Sequence, residues 1–453
     1  MSSILRKIIY HIGYIFFYKL DYANLIKEYH FIKKNIYRSV EHNKQIQRER
    51  LYDIIKYAIS NIPYYANIAK ERKIKIKKET IFEDLKKFPL LTKDLIRKNW
   101  NSLVRDPSKF KYRTNTSGGT TGEPLKLYQD SNYYVKGEAV TLVFDEIAGY
   151  SVGDRLIRLW GSQQDILIMT KSTLKKLKNK YIKNTLFLNT YRMTKEDVLN
   201  YINKINKFRP KIIIAYIHSL LELIKQAEYL KIPFKPVKAI ISSTGVLTKE
   251  AKKKIQDTFK CKVFNRYGSR EIGMIATSCE REDTLHINMY QQFVEILDDK
   301  GNDLAENERG EIVITNFTNR IMPLIRYKIG DIGAFNYAKC SCGRGLHRLE
   351  NIYGRTLEIF KTKKGTLIDG YYFVNLLFFM ENLKQFQIVQ NNLDELEVYL
   401  TTLDGNPLDK SIERDLTDKM QFVMGKECEI KFIYLPVIEP SPSGKLRYTI
   451  SNL

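Results

Sequence analysis

A short run of small and polar residues has the composition of a loop that binds an anion. It reads TSGGTTG and consists of Thr116, Ser117, Gly118, Gly119, Thr120, Thr121 and Gly122, with Lys126 shortly after it. Glycines let the backbone approach an anion, while amide and hydroxyl groups donate hydrogen bonds to phosphate oxygens. The Gly-Lys-Ser/Thr ending of a P-loop is missing, so by itself the run also fits a flexible surface loop.

A second group of residues has the chemistry of a metal site: Cys279, His286, Cys340 and Cys342. Three thiolates and one imidazole are donors typical of a closed structural zinc site. The Cys-x-Cys spacing is tighter than the usual Cys-x-x-Cys, and free buried cysteines in a reducing compartment are the alternative. Because the chain has only 5 cysteines, an odd number, a secreted disulfide framework is not expected. We therefore expect a cytoplasmic protein.

The charge of the chain is strongly positive, with 75 basic and 51 acidic residues and a net charge of +24. Such a charge raises the question of a nucleic-acid or anionic-membrane partner. The lysines are spread along the whole chain, however, and no zinc-finger, RNP-type or basic-zipper pattern is present. We therefore expect no nucleic-acid partner.

The N-terminal run from Ile8 to Tyr18 is apolar and aromatic, with Arg6, Lys7 and Lys19 beside it. It is about half as long as the roughly 20 residues that a membrane-spanning helix requires. An amphipathic helix in the interface at the inner face of the membrane is one interpretation, and would make the protein peripherally membrane-associated. A helix docked on the protein's own surface is the interpretation that we prefer.

Alternating strand-like and helix-like runs predict an α/β fold. The runs KIIIAYI and VKAIISSTG are typical of buried strands, and HSLLELIKQAEYLK and LTKEAKKKIQDTF are typical of helices. Amphipathic helices are expected from about Leu20 to Lys87, and short strands between about Leu285 and Phe335. We predict a helical N-terminal region (1–95), a core with the Gly-rich loop and a small β section (96–354), and a smaller α+β C-terminal domain (355–453).

Six motifs follow one another in the order known from a large enzyme family. They are TSGGTTGEPLK at 116–126, SSTGV at 242–246, FNRYGSREIG at 264–273, RYKIGD at 326–331, YGR ending at 355, and SPSGKLR at 441–447. In this the chain resembles the adenylate-forming superfamily of acyl-CoA synthetases, specifically its phenylacetate-CoA ligase branch and the related CapK-like capsular polysaccharide proteins. Six matches in order, over most of the chain, leave chance a poor explanation.

The resemblance implies that Lys445 bridges the substrate carboxylate and the α-phosphate of ATP, that Glu271 holds Mg²⁺, and that Arg355 contacts the nucleotide. This agrees with the chemistry, because a carboxylate attacking a phosphate brings two anions together and Mg²⁺ prefers oxygen ligands. Tyr267 would stack on the adenine and Asp331 would accept hydrogen bonds from the ribose. The further nucleotide-binding residues that it implies are Ser117, Gly118, Gly119, Thr120, Thr121, Gly122, Lys126, Ser243, Thr244, Gly245, Gly268 and Ser269.

The function that the resemblance implies is ATP- and Mg²⁺-dependent conversion of a carboxylic acid to an acyl-adenylate, with release of pyrophosphate. The acyl group would then pass to CoA or to another acceptor, such as a sugar amine or hydroxyl in cell-surface polysaccharide assembly. The C-terminal domain would be mobile, and the acid pocket would lie near 216–220 and 243–246.

One position departs from the family pattern. Where the family usually carries an acidic pair after Gly-Arg, this chain has Thr356, Leu357 and Glu358. Either the pivot of the domain is shifted to Glu358 or the second half-reaction differs. Two alternatives therefore stay open: a non-catalytic family member that acts as a scaffold in polysaccharide assembly, and a basic protein that binds membranes or nucleic acid.

Overall fold

The computed structural model describes residues 3–116, 125–160, 181–190, 195–243, 245, 247–355, 359–378, 380, 382–439 and 447–453. The chain forms two compact units: an N-terminal unit of Met1–Ile329 with Ala334–Asn351, and a C-terminal unit of Gly330–Gly333 with Ile352–Leu453. Several residues singled out above lie outside the described residues: Ser117, Gly118, Gly119, Thr120, Thr121, Gly122, Thr244, Val246, Thr356, Leu357, Glu358 and Lys445.

Helices make up the described part of the chain before the first strand, as the sequence predicts. They are α1 (Ser3–Asn35), α2 (Val40–Asn61), α3 (Pro63–Glu71), α4 (Ile81–Leu85), α5 (Lys93–Lys98) and α6 (Trp100–Leu103), followed by a 3₁₀ turn at Pro107–Lys109. Local chemistry fixes several of their starts: the side chain of Ser39 accepts a hydrogen bond from the amide of His42, and that of Thr92 from the amide of Leu95. Pro63 occupies the first turn of α3, where its missing N–H costs nothing.

A large mixed sheet is the framework of the N-terminal unit, and its eleven strands run in the order β10-β11-β12-β13-β9-β8-β7-β6-β5-β3-β4. The strands are β3 (Leu156–Trp160), β4 (Thr185–Asn189), β5 (Ile212–Tyr216), β6 (Ala239–Ser243), β7 (Lys262–Ser269), β8 (Gly273–Thr277), β9 (Leu285–Ile287), β10 (Gln292–Leu297), β11 (Gly310–Asn316), β12 (Tyr327–Asn336) and β13 (Arg348–Arg355). A separate hairpin consists of β1 (Tyr112–Thr116) and β2 (Lys126–Asp130). The strands predicted between 285 and 335 are present, and they extend the main sheet instead of forming one of their own.

Strands β3 to β7 are parallel to one another, and four described helices accompany them. These helices are α7 (Ser131–Ile147), α8 (Lys195–Phe208), α9 (Ile217–Tyr229) and α10 (Lys249–Phe259). The residues of β5 from Ile212 to Ala215 are fully buried, which explains their unbroken apolar sequence, because a parallel sheet is covered on both faces. The α/β fold class predicted from the sequence is confirmed.

Helix α1 docks on the N-terminal unit at its C-terminal half, where the hydroxyl of Tyr29 donates to Glu146 on α7 and Lys33 lies 3.0 Å from the same carboxylate. Nearer the N-terminus, Leu5, Ile8 and Ile12 are exposed. In the described part of the chain, no helix has the length and apolar character needed to cross a membrane. The membrane-interface interpretation of this helix stays a prediction.

The C-terminal unit is built on a four-stranded sheet in the order β18-β17-β16-β19. Its elements are β14 (Ile359–Lys361), β15 (Leu367–Asp369), α11 (Tyr371–Phe378), β16 (Leu383–Gln390), β17 (Glu395–Thr402), α12 (Lys410–Met424), β18 (Glu429–Tyr434) and β19 (Thr449–Ser451). Phe360, Phe373, Ile388, Val398 and Met420 are fully buried in its core. The unit therefore has a hydrophobic core of its own, as an α+β domain requires.

Candidate active site

The hairpin of β1 and β2 is the stem of the predicted phosphate-binding loop. The two strands pair antiparallel from Tyr112 with Asp130 to Thr116 with Lys126, so the loop residues connect their paired ends. The ammonium group of Lys126 lies 4.9 Å from the ring centroid of Tyr128 and 5.8 Å from that of Trp100. These cation–π contacts hold the side chain at the base of the loop.

Two amide side chains, the buried Gln129 and the partly buried Asn115, fasten this stem to the turn between β7 and β8. Nε2 of Gln129 donates to the carbonyl oxygen of Arg270 at 2.8 Å, and Nδ2 of Asn115 donates to the same oxygen at 3.1 Å. The Oε1 atom of Gln129 accepts from Asn115 at 3.1 Å and from the hydroxyl of Tyr134 at 3.0 Å. Because Gln129 is only 1% exposed, these bonds are protected from water and fix the turn against the hairpin.

Glu271 lies on that turn and is 6% exposed. Its carbonyl oxygen accepts from Nε2 of Gln129 at 3.3 Å and from the hydroxyl of Tyr133 at 3.4 Å. Burial, more than the neighbouring charge, raises the pKa of Tyr133 far above its usual range, so this hydroxyl stays a donor. Among the residues that the structure describes, the carboxylate of Glu271 has neither a hydrogen-bond nor an ion-pair partner. A carboxylate on a nearly buried residue, with no partner in the described part of the chain, fits the oxygen donor that Mg²⁺ requires.

Gly268 stands where the backbones of β7 and β8 come closest, beside a register shift between Tyr267 and Gly268. A Cβ atom at this position would lie 2.7 Å from the carbonyl oxygen of Gly273. Ser269 closes the turn, because its hydroxyl accepts from the amide of Ile272 at 3.1 Å. The family-like sequence Tyr-Gly-Ser is therefore required here for the local path of the chain.

Replacing Gly268 by alanine is expected to move the turn, since the opposing backbone oxygen cannot give way as a flexible side chain can. Overpacking of this kind costs about 1–3 kcal/mol. Thermal unfolding of Gly268→Ala measures this loss of stability. Gly405→Ala is unsuitable as a control, because Gly405 has a positive φ and an added side chain would strain the backbone there. Gly137→Ala is the matched control, because a Cβ there meets nothing within 4 Å. A Gly268→Ala protein as stable as the Gly137→Ala protein would contradict the expectation.

Further candidate residues lie at the carboxyl ends of the parallel strands. The register of the sheet aligns four of them, Asn189, Trp160, Tyr216 and Ser243, across β4, β3, β5 and β6. The rings of Trp160 and Tyr216 lie with centroids 4.6 Å apart. In open α/β sheets ligands bind at this edge. The predicted residues Ser243 and Tyr267 are both 9% exposed. Gly245 has a φ of +98°, a backbone conformation that residues with a side chain rarely adopt.

Arg266 is one member of a buried ion pair and takes no direct part in the predicted chemistry. Its guanidinium donates to Asp145 on α7, and the two side chains are 9% and 4% exposed. Burial lowers the pKa of Arg266 to about 10, which leaves it charged at neutral pH. The pair anchors β7, the strand that ends in the Tyr267–Glu271 turn, to α7.

The first residue of the RYKIGD motif is also structural. Arg326 has a φ of +50° and donates through Nε and Nη2 to Glu295, with its Nη2 2.9 Å from Oε1. Its Nη1 donates to the carbonyl oxygens of Lys86 and Phe88 at 3.0 and 2.9 Å. Arg326 therefore ties the N-terminal helices to the sheet.

Of three further predicted residues, Asp331 and Arg355 lie on strands β12 and β13, and Lys445 lies outside the described residues. Asp331 is a 9% exposed residue of β12 and belongs to the C-terminal unit. Arg355 is the last residue of β13, and only its backbone is described. Lys445 precedes Arg447, whose carbonyl oxygen accepts from Nε2 of Gln387 on β16 at 2.8 Å. The roles of these three residues stay predictions.

The structure brings together Cys279, His286, Cys340 and Cys342, whose ligand atoms all lie within 4.8 Å of one another. The sulfur atoms of Cys279 and Cys340 are 3.6 Å apart, and Nε2 of His286 is 3.4 Å from the sulfur of Cys342. The cluster lies in the N-terminal unit: Cys279 follows β8, His286 lies on β9, and Cys340 and Cys342 follow β12.

Known proteins resemble the chain over most of its length. Residues 360–452 match the family described as the CapK C-terminal domain. CapK of Staphylococcus aureus is 27% identical over 415 residues, which cover 90% of this chain and 89% of that protein. Phenylacetate-coenzyme A ligase of Thermus thermophilus is 26% identical over 382 residues, which cover 78% of this chain and 80% of that protein.

The fold has a close counterpart among solved structures. A crystal structure of 2-hydroxyisobutyryl-CoA ligase in the postadenylation state, in complex with R3-HIB-AMP, has a TM-score of 0.71 at 17% identity. The match covers 91% of this chain and 90% of that chain. With the sheet and the motifs above, these relationships confirm the likeness to the adenylate-forming superfamily that the six motifs indicated. Within that superfamily, the chain is similar in sequence to CapK and to phenylacetate-CoA ligases, and its C-terminal residues match the CapK C-terminal domain.

Proposed function

We propose that this chain is an adenylate-forming acid–CoA ligase that uses ATP and Mg²⁺. One observation carries the proposal: Asn115 and Gln129 fasten the turn bearing Glu271 to the stem of the Gly-rich loop. A carboxylate suited to Mg²⁺ and a loop suited to phosphate thus belong to one connected structure. The relatedness to phenylacetate-coenzyme A ligases supports the same reaction class.

In the proposed first step a carboxylate oxygen of the acid attacks the α-phosphorus of ATP, the bond to the bridging oxygen breaks, and pyrophosphate leaves. Lys445 would offset the negative charge of the two approaching anions. Mg²⁺ held by Glu271 would supply positive charge at the phosphate oxygens. Tyr267 would stack on the adenine, while Asp331 would accept from the ribose and Arg355 would contact the nucleotide. In the second step the CoA sulfur attacks the acyl carbonyl carbon and AMP leaves.

The test is ATP–pyrophosphate exchange with Mg²⁺ over a panel of aryl, fatty and amino acids. We expect exchange that depends on one class of acid and falls about 100-fold or more in Lys445→Ala, because a positive charge at the reacting phosphate is lost. Lys426→Ala, which removes an exposed lysine of the same unit, is the matched control and should keep wild-type exchange. A wild-type protein that neither binds ATP nor exchanges pyrophosphate would refute the proposal.

CoA is the acceptor that the related ligases favour, and a sugar amine or hydroxyl in polysaccharide assembly is the alternative that the likeness to CapK supports. Leu357, where the family usually has an acid, leaves room for a different second step. Measuring the concentration of free CoA thiol while AMP accumulates distinguishes between the two acceptors. Thiol consumed in step with AMP supports CoA, whereas AMP formation that requires an added sugar and leaves the thiol unchanged supports the alternative.

A further inference from the structure

The cluster of Cys279, His286, Cys340 and Cys342 has the dimensions of a tetrahedral metal site. With Zn–S near 2.3 Å and Zn–N near 2.0 Å, the edges of a tetrahedron are about 3.8 Å between two sulfurs and about 3.5 Å between sulfur and nitrogen. The observed separations are 3.6 Å between the sulfurs of Cys279 and Cys340 and 3.4 Å between Cys342 and His286. The remaining pairs of donor atoms lie within 4.8 Å of one another, so one ion at the centre would contact all four donors once the widest pairs close by up to about 1 Å.

Two connections that are remote in the sequence supply the donors. Cys279 follows β8, and His286 lies on β9, where it pairs with Arg348 at the start of β13. Cys340 and Cys342 lie in the connection between β12 and β13. Cys340 follows Cys279 by 61 residues in the sequence. The paired strands β9 and β13 thus hold the two halves of the cluster in register. Sites that regular secondary structure positions are more precise than sites on loops alone.

Hydrogen bonds around the cluster suit thiolate ligands. The amide of Arg281 donates to the sulfur of Cys279 at 3.4 Å, and the amide of Cys342 donates to the sulfur of Cys340 at 3.5 Å. His286 is fully buried, and within the described residues its Nδ1 atom has no hydrogen-bond partner. Its Nε2 atom faces the sulfur of Cys342, so Nε2 is the nitrogen that would bind the metal and Nδ1 would carry the proton.

Charged residues surround the cluster and are themselves paired. Arg344 and Arg348 are 8% and 2% exposed. Arg344 donates to both carboxylate oxygens of Glu280, at 3.2 and 3.0 Å, while Arg348 pairs with Glu282. Three thiolates and Zn²⁺ leave one net negative charge, and two nearby guanidinium groups stabilise it.

A disulfide between Cys279 and Cys340 is the rival chemistry for this cluster. It requires the two sulfurs to lie at about 2.05 Å, whereas they lie at 3.6 Å. With such a disulfide, Cys342 and His286 would still face each other but would have no ion to coordinate. All five cysteines of the chain are free in the structure.

We propose that Cys279, His286, Cys340 and Cys342 bind one Zn²⁺ in a closed structural site that clamps the β8–β9 connection to the β12–β13 connection. Strand β8 begins directly after the turn that carries Glu271, so the clamp fixes the far end of that strand. All four coordination positions are filled by protein, which makes the ion structural and leaves no position for a substrate. The proposal is independent of the ligase activity proposed above.

Metal analysis of the purified full-length protein, expressed in zinc-containing medium, tests the site without any activity assay. We expect about one zinc ion per chain and, after exchange, a Co²⁺ spectrum with thiolate charge transfer and the visible bands of a tetrahedral site. Cys342→Ser should lose most of the zinc, whereas His286→Cys should keep it with a changed Co²⁺ spectrum. Cys428→Ser removes a buried cysteine of the C-terminal unit and should keep the full zinc content.

Three results would overturn the proposal. One is a wild-type protein purified without zinc that also fails to bind added Zn²⁺ or Co²⁺. The second is a non-reduced mass two hydrogens below that of the reduced chain, with a Cys279–Cys340 crosslink in its peptides. The third is equal zinc content in wild type, Cys342→Ser and Cys340→Ser. Because the wild-type measurements need no variant, poor folding of a variant does not prevent the test.

Discussion

Replacing Glu271 by glutamine is expected to lower acid-dependent ATP–pyrophosphate exchange by about 100-fold or more, and to raise the Mg²⁺ concentration needed for half-maximal exchange. The substitution keeps the size of the side chain but removes the charge that would hold the ion. Its carboxylate has no hydrogen-bond or ion-pair partner among the described residues, so the fold should tolerate the change. We therefore expect a thermal midpoint close to that of wild type.

Glu79→Gln is the matched control, because Glu79 is exposed and lies outside the turn. That variant should match wild type in both exchange and Mg²⁺ dependence. If Glu271→Gln keeps wild-type exchange while Lys445→Ala loses it, adenylation stands but the assignment of Mg²⁺ to Glu271 fails. Exchange measured against Mg²⁺ concentration separates a weakened metal site from a general loss of activity.

Asp145→Asn is expected to destabilise the N-terminal unit by about 3–5 kcal/mol, because it leaves the charge of Arg266 buried without a counter-ion. Arg266 is a residue of β7 and its side chain is only 9% exposed, so water cannot replace the lost carboxylate. The free energy of unfolding from urea titration measures the loss. The effect should extend to the site, since β7 leads directly into the turn with Glu271.

An exposed ion pair in the same chain is the control for this effect. Lys419 lies 2.7 Å from Asp415 on α12, and their side chains are 51% and 58% exposed. Asp415→Asn should cost less than about 1 kcal/mol, because water screens the pair. The double variant Asp145→Leu with Arg266→Met should recover much of the stability that Asp145→Asn loses. Equal losses for Asp145→Asn and Asp415→Asn would show that burial of the pair does not matter.

Periodicity and apolar runs predicted much of the fold. The strand of KIIIAYI and the helix of LTKEAKKKIQDTF are present as β5 and α10, because burial on both faces, or on one face, leaves a direct mark on the sequence. In α10 the buried residues Ala251, Ile255 and Phe259 follow the four-residue spacing of one helix face. Strand pairing left no such mark. The strands β9 to β13 extend the main sheet, and only contacts remote in the sequence decide that.

Residues of the candidate site could be predicted where a sequence motif contains them, but not where tertiary packing alone positions them. The resemblance singled out Glu271, whereas nothing in the sequence pointed to Gln129, whose partner Arg270 is 141 residues away. A glutamine on a strand is ordinarily a solvated residue, and its burial becomes visible only when β2 and the β7–β8 turn are seen together. By contrast, the residue types of Cys279, His286, Cys340 and Cys342 indicated a shared metal site, and the structure brings their ligand atoms within 4.8 Å of one another.

The hydrogen bond from Gln387 to Arg447 sets a length limit on the reach of Lys445. From the held residue, two peptide units lead back to Lys445, and two residues span at most about 7 Å between Cα atoms. The parallel pairing of β19 with β16 begins at once afterwards, from Thr449 with Ile388. By chain length alone, the Cα atom of Lys445 stays within about 7 Å of that of Arg447, a residue that a central strand of the small sheet holds. In the proposed reaction, the packed core of the C-terminal unit would therefore determine where this positive charge is delivered.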